Sequence, residues 1–339
     1  MKTLVCGAGG FIGGHLVRSL VADGVDVRAI DIKPLSEWYQ LLPEADNIWS
    51  DLARFEVCQA VVWDVDTVYN LAADMGGMGF IENNKAACML SVLINTHLLM
   101  AARDAEVRRY FFSSSACVYN ADKQRSPDVV PLREEDAYPA MPEDGYGWEK
   151  LFSERLCRHF TEDSGLATRV ARYHNVYGPF GTYDGGREKA PAAICRKVIE
   201  AKLTGSRTIE IWGTGEQTRS FTYIDDCVKG TRALMASDID GPLNIGSSDL
   251  VTINGLVDLV ERIAGVKLER RYNRSAPHGV NGRNSDNTCI KARLGWEPST
   301  KLADGLEPTY AWIHDQMVQE RGVKRPHAPV ATRRADSRA

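Results

Sequence analysis

Four side chains between Phe112 and Lys189 have the types and spacing to move a hydride and carbon-bound protons. Tyr146 and Lys150 lie four residues apart, which puts them on one face of a helix. A neutral phenol is a poor base; a neighbouring ammonium and a positively charged cofactor ring would lower its pKa and make the phenolate accessible. Ser115 ends a serine run and would hydrogen-bond the alcohol being oxidised. Cys117 lies two residues further on, so in an extended strand end it would point the same way as Ser115. Lys189 follows Gly185-Gly186-Arg187-Glu188. Cysteine and lysine can each act as acid or base on carbon once burial and neighbours tune their pKa. Carbon–hydrogen bonds beside a secondary alcohol resist such bases, but those beside a ketone give way because the enolate is stabilised. A chain with both pairs reads as an enzyme that oxidises a sugar transiently in order to invert it.

The surrounding elements suit that task. Gly7-Ala8-Gly9-Gly10-Phe11-Ile12-Gly13 follows an apolar strand and opens a helix, with Gly7, Gly10 and Gly13 spaced G-x-x-G-x-x-G. Such a turn lets the backbone approach a pyrophosphate, which the helix N-terminus then holds. Asp31 ends the second strand, where a carboxylate accepts both ribose hydroxyls and repels a 2′-phosphate; this favours NAD over NADP, with Lys33 and Arg28 close by. Asp51 and Leu52, after a third strand, are expected at the adenine, and Leu71, Ala72 and Ala73, after a fourth, along the cofactor path.

Strands over 2–6, 25–30, 67–70, 109–114 and 168–173 alternate with helices over 11–23, 84–105 and 146–164. That order predicts an α/β fold with a doubly wound, parallel Rossmann-type sheet. The segment 178–189 reads as loop. Helix 193–203, strand 208–212 and helices 256–263 and 302–319 suggest a smaller, interleaved substrate-binding lobe, while 221–236 and 242–245 return to the main sheet. The expected division is a cofactor domain over 1–176 with 221–246, a lobe over 177–220 and 247–320, and a disordered tail over 321–339. His174 is expected to be a packed, hydrogen-bonded histidine, and Trp212 and Trp296 core residues.

Composition sets outer limits. The chain has 339 residues, 44% of them hydrophobic and 25% charged, as in ordinary soluble globular proteins. A net charge of −4 argues against a nucleic-acid partner. Eight dispersed cysteines, without a C-x-x-C pair or metal-ligand spacing, predict no metal and a reducing cytoplasm. No signal peptide and no stretch of membrane-spanning length is read, so no membrane association is expected.

The Gly-rich turn, the Tyr-x-x-x-Lys pair, and the blocks at 172–179, 212–215, 219–226 and 244–246 resemble the extended short-chain dehydrogenase/reductase family of nucleotide-sugar epimerases and dehydratases. The blocks at 72–80, 114–117, 177–182, 185–193 and 282–287 are similar to the GDP-mannose 3,5-epimerases within it, with departures at Asn120, Tyr138 and Gly145. The resemblance implies NAD as cofactor, GDP-mannose or a related nucleotide sugar as substrate, and Cys117 and Lys189 as the carbon acid/base groups. It implies that Met75, Gly76, Gly77 and Met78 face the hexose, and that Asn175, Lys197, Arg219 and Arg283 contact the nucleotide or phosphates. It also implies a homodimer formed through helices 84–105 and 146–164. A C4 epimerase, which needs no Cys/Lys pair, and a single-centre epimerase of another NDP-hexose or NDP-heptose stay open as alternatives.

Overall fold

The inner strands are apolar on both faces because helices cover both sides of the sheet. In the computed structural model, which describes residues 2–322, β1 (Lys2–Cys6), β2 (Asp26–Asp31), β3 (Asp46–Trp49), β4 (Thr67–Asn70), β5 (Arg109–Ser115) and β6 (Ala167–Tyr173) join Pro242–Ile245 in one seven-stranded sheet. The order is Pro242–Ile245, β6, β5, β4, β1, β2, β3, every pairing parallel. Alternation divides neighbours between two cores. Val5, Leu16, Phe111, Ile224 and Leu234 pack on one face; Leu4, Ile30, Leu98, Leu99 and Phe112 pack on the other. The helices are α1 (Phe11–Ala22), α2 (Phe55–Val62), α3 (Met78–Asn83), α4 (Lys85–Asp104), α5 (Tyr146–Ser164), α6 (Ala190–Thr204), α7 (Ile224–Ala236), α8 (Ile253–Ala264), α9 (Thr288–Leu294) and α10 (Leu302–Gly322).

α6, α8 and α10 build a third core around Ile194, Val198, Leu256, Val260 and Ile313. Beside it, Thr208–Trp212 pairs with Glu269–Asn273, and Thr218–Ser220 is flanked by Leu250–Thr252 and Gly282–Arg283.

Three expectations need correction. Helix α10 runs through Arg321, into the stretch expected to be disordered; residues 323–339 lie outside the described residues. α4 is long and apolar enough to cross a membrane by length and composition, which the sequence reading did not anticipate. One face of it packs into the core: Cys88, Asn95, Leu98 and Leu99 are buried, and Asn70 Nδ2 and Tyr110 Oη both donate to Asn95 Oδ1 (3.1 and 2.9 Å). Finally, Trp212 is 41% exposed at the mouth of the pocket described below.

Candidate active site

The cofactor cradle is built from close backbone contacts. Gly7, at φ +81°, donates its N–H to the Ile30 carbonyl at 2.9 Å, and a Cβ there would meet the Leu71 carbonyl carbon at 2.8 Å. A Cβ on Gly13 would fall on the Gly7 carbonyl oxygen. Gly10 caps α1 in extended conformation, and Phe11 and Ile12 open its first turn. Asp31 leaves the end of β2 and accepts from Gly9 N (3.0 Å) and Lys33 N (2.9 Å). Burial raises the Asp31 pKa against those hydrogen bonds and the Lys33 charge. Lys33 reaches the Gly9 carbonyl at 3.1 Å. Arg28 is turned away: it bonds Asp46, the Val61 carbonyl and the Trp63 carbonyl. Arg28 therefore does not wait for a 2′-phosphate, and Lys33 is the basic group beside Asp31. Asp51 Oδ1 accepts from Ala53 N at 2.8 Å, and the Leu52 side chain is buried in the core, so at this position only the Leu52 backbone is available to a base. Leu71, Ala72 and Ala73 continue from β4, where Ala72 N donates to Asn70 Oδ1 (3.2 Å). Gly-rich turn, helix N-terminus and Asp31 fit a dinucleotide with free ribose hydroxyls. A Gly13→Ala variant is expected to bind no NAD and to lose about 1–3 kcal/mol of stability, because the methyl can only displace backbone; cofactor retention on purification and thermal unfolding check it.

Tyr146 is the first residue of α5 and Lys150 lies one turn on, both buried. Lys150 Nζ is 5.5 Å from the Tyr146 ring centre and 4.6 Å from that of Phe112. The expected lowering of the phenol pKa is absent from the protein alone: burial, then Cys117 and Glu149, push Tyr146 up, against a hydrogen bond with Ser115. Glu149, 3.6 Å from Lys150 Nζ, offsets the ammonium.

The strand geometry expected for Ser115 and Cys117 does not hold. β5 stops at Ser115, whose hydroxyl accepts from Cys117 N at 3.2 Å and turns the chain into a short 3-10 helix, Ala116–Val118. Both residues still line one pocket with Tyr146 and Lys189. Burial pushes the Cys117 thiol up to about 11; Glu143 adds to this and Arg283 opposes it. Lys189 caps α6, and burial lowers its pKa against the pull of Cys117 and Cys227.

The loop carrying Met75, Gly76, Gly77 and Met78 presses on the loop carrying Lys189. Gly77 N donates to the Arg187 carbonyl at 2.9 Å, and a Cβ on Gly77 would strike the Glu188 carbonyl oxygen. Arg187 pins the two loops through Asp74 (2.7 Å) and the Phe80 ring (3.7 Å). Further out, Asn175 Nδ2 donates to the Ser220 carbonyl, and Lys197 Nζ reaches the Glu210 carbonyl (2.9 Å) beside the Trp212 ring. Among the described residues Arg219 makes its hydrogen bonds to main-chain carbonyls, of Thr218, His278 and Val280, and it lines the pocket with Glu143 as a nearby opposite charge. Arg283 has protein partners that the sequence did not reveal. It lines the pocket while held by Gln124 Oε1 (2.7 Å) and Glu143 Oε1 (2.5 Å) at the thiol. His174 is fully buried on Asn244 Oδ1 at 2.9 Å, and burial lowers its pKa to about 3. Sequence reasoning missed Glu143 and Gln124; Glu143 stands three residues before Tyr146, but only the fold brings it to Arg283. No cluster suited to a metal occurs among the described residues.

Residues 3–246 match the model of the NAD dependent epimerase/dehydratase family. The chain belongs to that family. As a family member it is an NAD-dependent nucleotide-sugar epimerase, in keeping with the cradle just described. It is 46% identical to a GDP-mannose 3,5-epimerase of Oryza sativa subsp. indica over 95% of this chain and 84% of that one. Among solved structures, it is similar to a UDP-glucose 4-epimerase of Thermotoga maritima with UDP-glucose (TM-score 0.84, 26% identity, 94% and 100% covered). It is also similar to a Bacillus cereus UDP-glucuronic acid 4-epimerase in complex with UDP-glucuronic acid and NAD (TM-score 0.80, 26% identity, 93% and 100% covered).

Proposed function

We propose that this family member inverts C3 and C5 of GDP-mannose through a transient C4 ketone, towards GDP-L-galactose or GDP-L-gulose. The observation that carries the reading is the convergence of Cys117 and Lys189 with Tyr146 and Ser115 on one pocket. When bound, NAD supplies the hydride acceptor for C4, returns that hydride at the end, and brings the positive ring charge that lowers the Tyr146 phenol. Tyr146 takes the C4 hydroxyl proton, and Ser115 holds the same oxygen. Cys117 and Lys189 then exchange protons with C5 and C3 from opposite ring faces, through enolates. Arg219, Lys197 and Asn175 hold the nucleotide, and the 75–78 loop excludes water from the hexose. Residues 1–176 with 221–246 form the cofactor domain in this reading, and 177–220 with 247–320 the nucleotide-sugar lobe.

The test is mass spectrometry of GDP-mannose incubated with the holoenzyme in heavy water. Two non-exchangeable deuterons are the expected result. One deuteron means a single-centre epimerase. A new isomer with none means C4 epimerisation and removes Cys117 and Lys189 from the mechanism.

The protein also acts as a homodimer in this reading, in a reducing cytoplasm. Leu90 is 61% exposed and Phe152 55%, with Met89, Leu93 and Trp148 beside them on α4 and α5. An apolar face on two packed helices is suited to a second copy of itself. Sedimentation equilibrium is expected to return twice the chain mass, and Phe152→Glu to return the chain mass.

A further inference from the structure

Glu143 is a largely buried carboxylate that the mechanism above does not use. Its main-chain N–H donates to the Cys117 carbonyl at 3.0 Å, which fixes it beside the thiol. Oε1 accepts from Arg283 Nη2 at 2.5 Å, with the two side chains 11% and 5% exposed. Oε2 is buried without a hydrogen-bond partner, and the carboxylate raises the thiol pKa that Arg283 lowers. Arg283 Nη1 meets Cys117 Sγ at 3.7 Å, and Gln124 locks the guanidinium from behind.

The sulfur is therefore bracketed by a fixed cation and a fixed anion. A buried thiol beside a guanidinium alone ionises readily and becomes a standing nucleophile, open to alkylation and oxidation. A carboxylate paired with that guanidinium beside the sulfur opposes the pull. The other polar or ionisable groups facing the sulfur are Ser115 at the end of β5, Tyr146 on α5, Cys88 on α4, Lys189 at the start of α6, and Arg219. Of this set, Glu143 is the group with a full negative charge.

We propose that Glu143 is a positioning residue of the acid/base pair, which cancels the Arg283 charge at the Cys117 sulfur and keeps it a thiol in the resting site. The inference rests on the reading that Cys117 works on carbon, but its test does not. The site-resolved rate of alkylation of Cys117 by iodoacetamide at about pH 8, followed by peptide mass spectrometry on the holoenzyme, reports the thiolate fraction directly. Glu143→Gln is expected to raise that rate about tenfold or more, the change for a pKa lowered by about one unit. Glu143→Asp, which keeps the charge, is expected to stay near wild type, and Arg283→Gln to slow the reaction. In Glu143→Gln, the limb of the epimerisation pH profile governed by Cys117 moves to lower pH by the same interval; a merely structural role would lower kcat with no such movement. Unchanged alkylation in folded Glu143→Gln overturns the inference, as does slower alkylation. Should Glu143→Gln fail to fold, unchanged or faster alkylation in Arg283→Gln overturns it. Full epimerisation by Cys117→Ala would instead overturn the proposed function and leave the alkylation result standing.

Discussion

Tyr146→Phe is expected to lower kcat by about 10²–10⁴, the range for a positioned acid/base group, and to abolish solvent-deuterium uptake at C3 and C5 together with it. The coupling follows from the order of chemistry. Without the phenol, C4 is not oxidised, and without a ketone neither neighbouring C–H bond is acidic enough for Cys117 or Lys189. Tyr146 is 5% exposed, and its ring packs with Ile81, Cys88 and Cys117, so phenylalanine fills the same space and stability should change little. A variant that loses turnover but still exchanges C3 or C5 hydrogens would show that oxidation at C4 is not the gate. Quenching wild type with borodeuteride during turnover is expected to place deuterium at C4; in Tyr146→Phe that label should vanish.

The hydride-transfer half of this site was legible because its signals are local. A turn that tolerates only glycine, a carboxylate at a strand end and a helix with Tyr and Lys one turn apart each depend on a few consecutive residues. What escaped the sequence is what depends on the fold. Arg283 meets Cys117 across 166 positions, and no periodicity connects Gln124, Glu143 and Arg283. Cys117 was misplaced on a strand because Ser115 was read as a substrate ligand alone; its hydroxyl also caps the turn that ends β5. β3 was expected before Asp51 but given no bounds, because Asp46 and Trp49 at its ends are exposed and the edge strand lacks an apolar alternation. Trp212 was assigned to a core by residue type, whereas its strand alternates and the side chain falls on the open side at the pocket mouth.

Removing either carbon acid/base group should separate the two halves of the reaction. Cys117→Ala and Lys189→Met are each expected to lower formation of the inverted sugar by about 10²–10⁴, while the borodeuteride label at C4 persists, because Tyr146, Lys150 and the cradle are intact. The two variants should differ in what exchange remains. Inversion needs a proton taken from one face and delivered to the other, whereas exchange without inversion needs only one group that both takes and returns a proton. The variant that keeps the proton-accepting residue is expected to wash C5 hydrogen into heavy water with no change of configuration; the variant that lacks it should wash out nothing. Comparison of the two therefore assigns the accepting and donating partners. Cys117 is 8% exposed and Lys189 is partly buried in the same pocket, so both substitutions remove a reactive atom from the lining without opening the core. Retention of both inversions in either variant would refute the pair. Loss of the C4 label along with inversion would mean that the substitution had disturbed sugar binding, which the Michaelis constant would register as a rise.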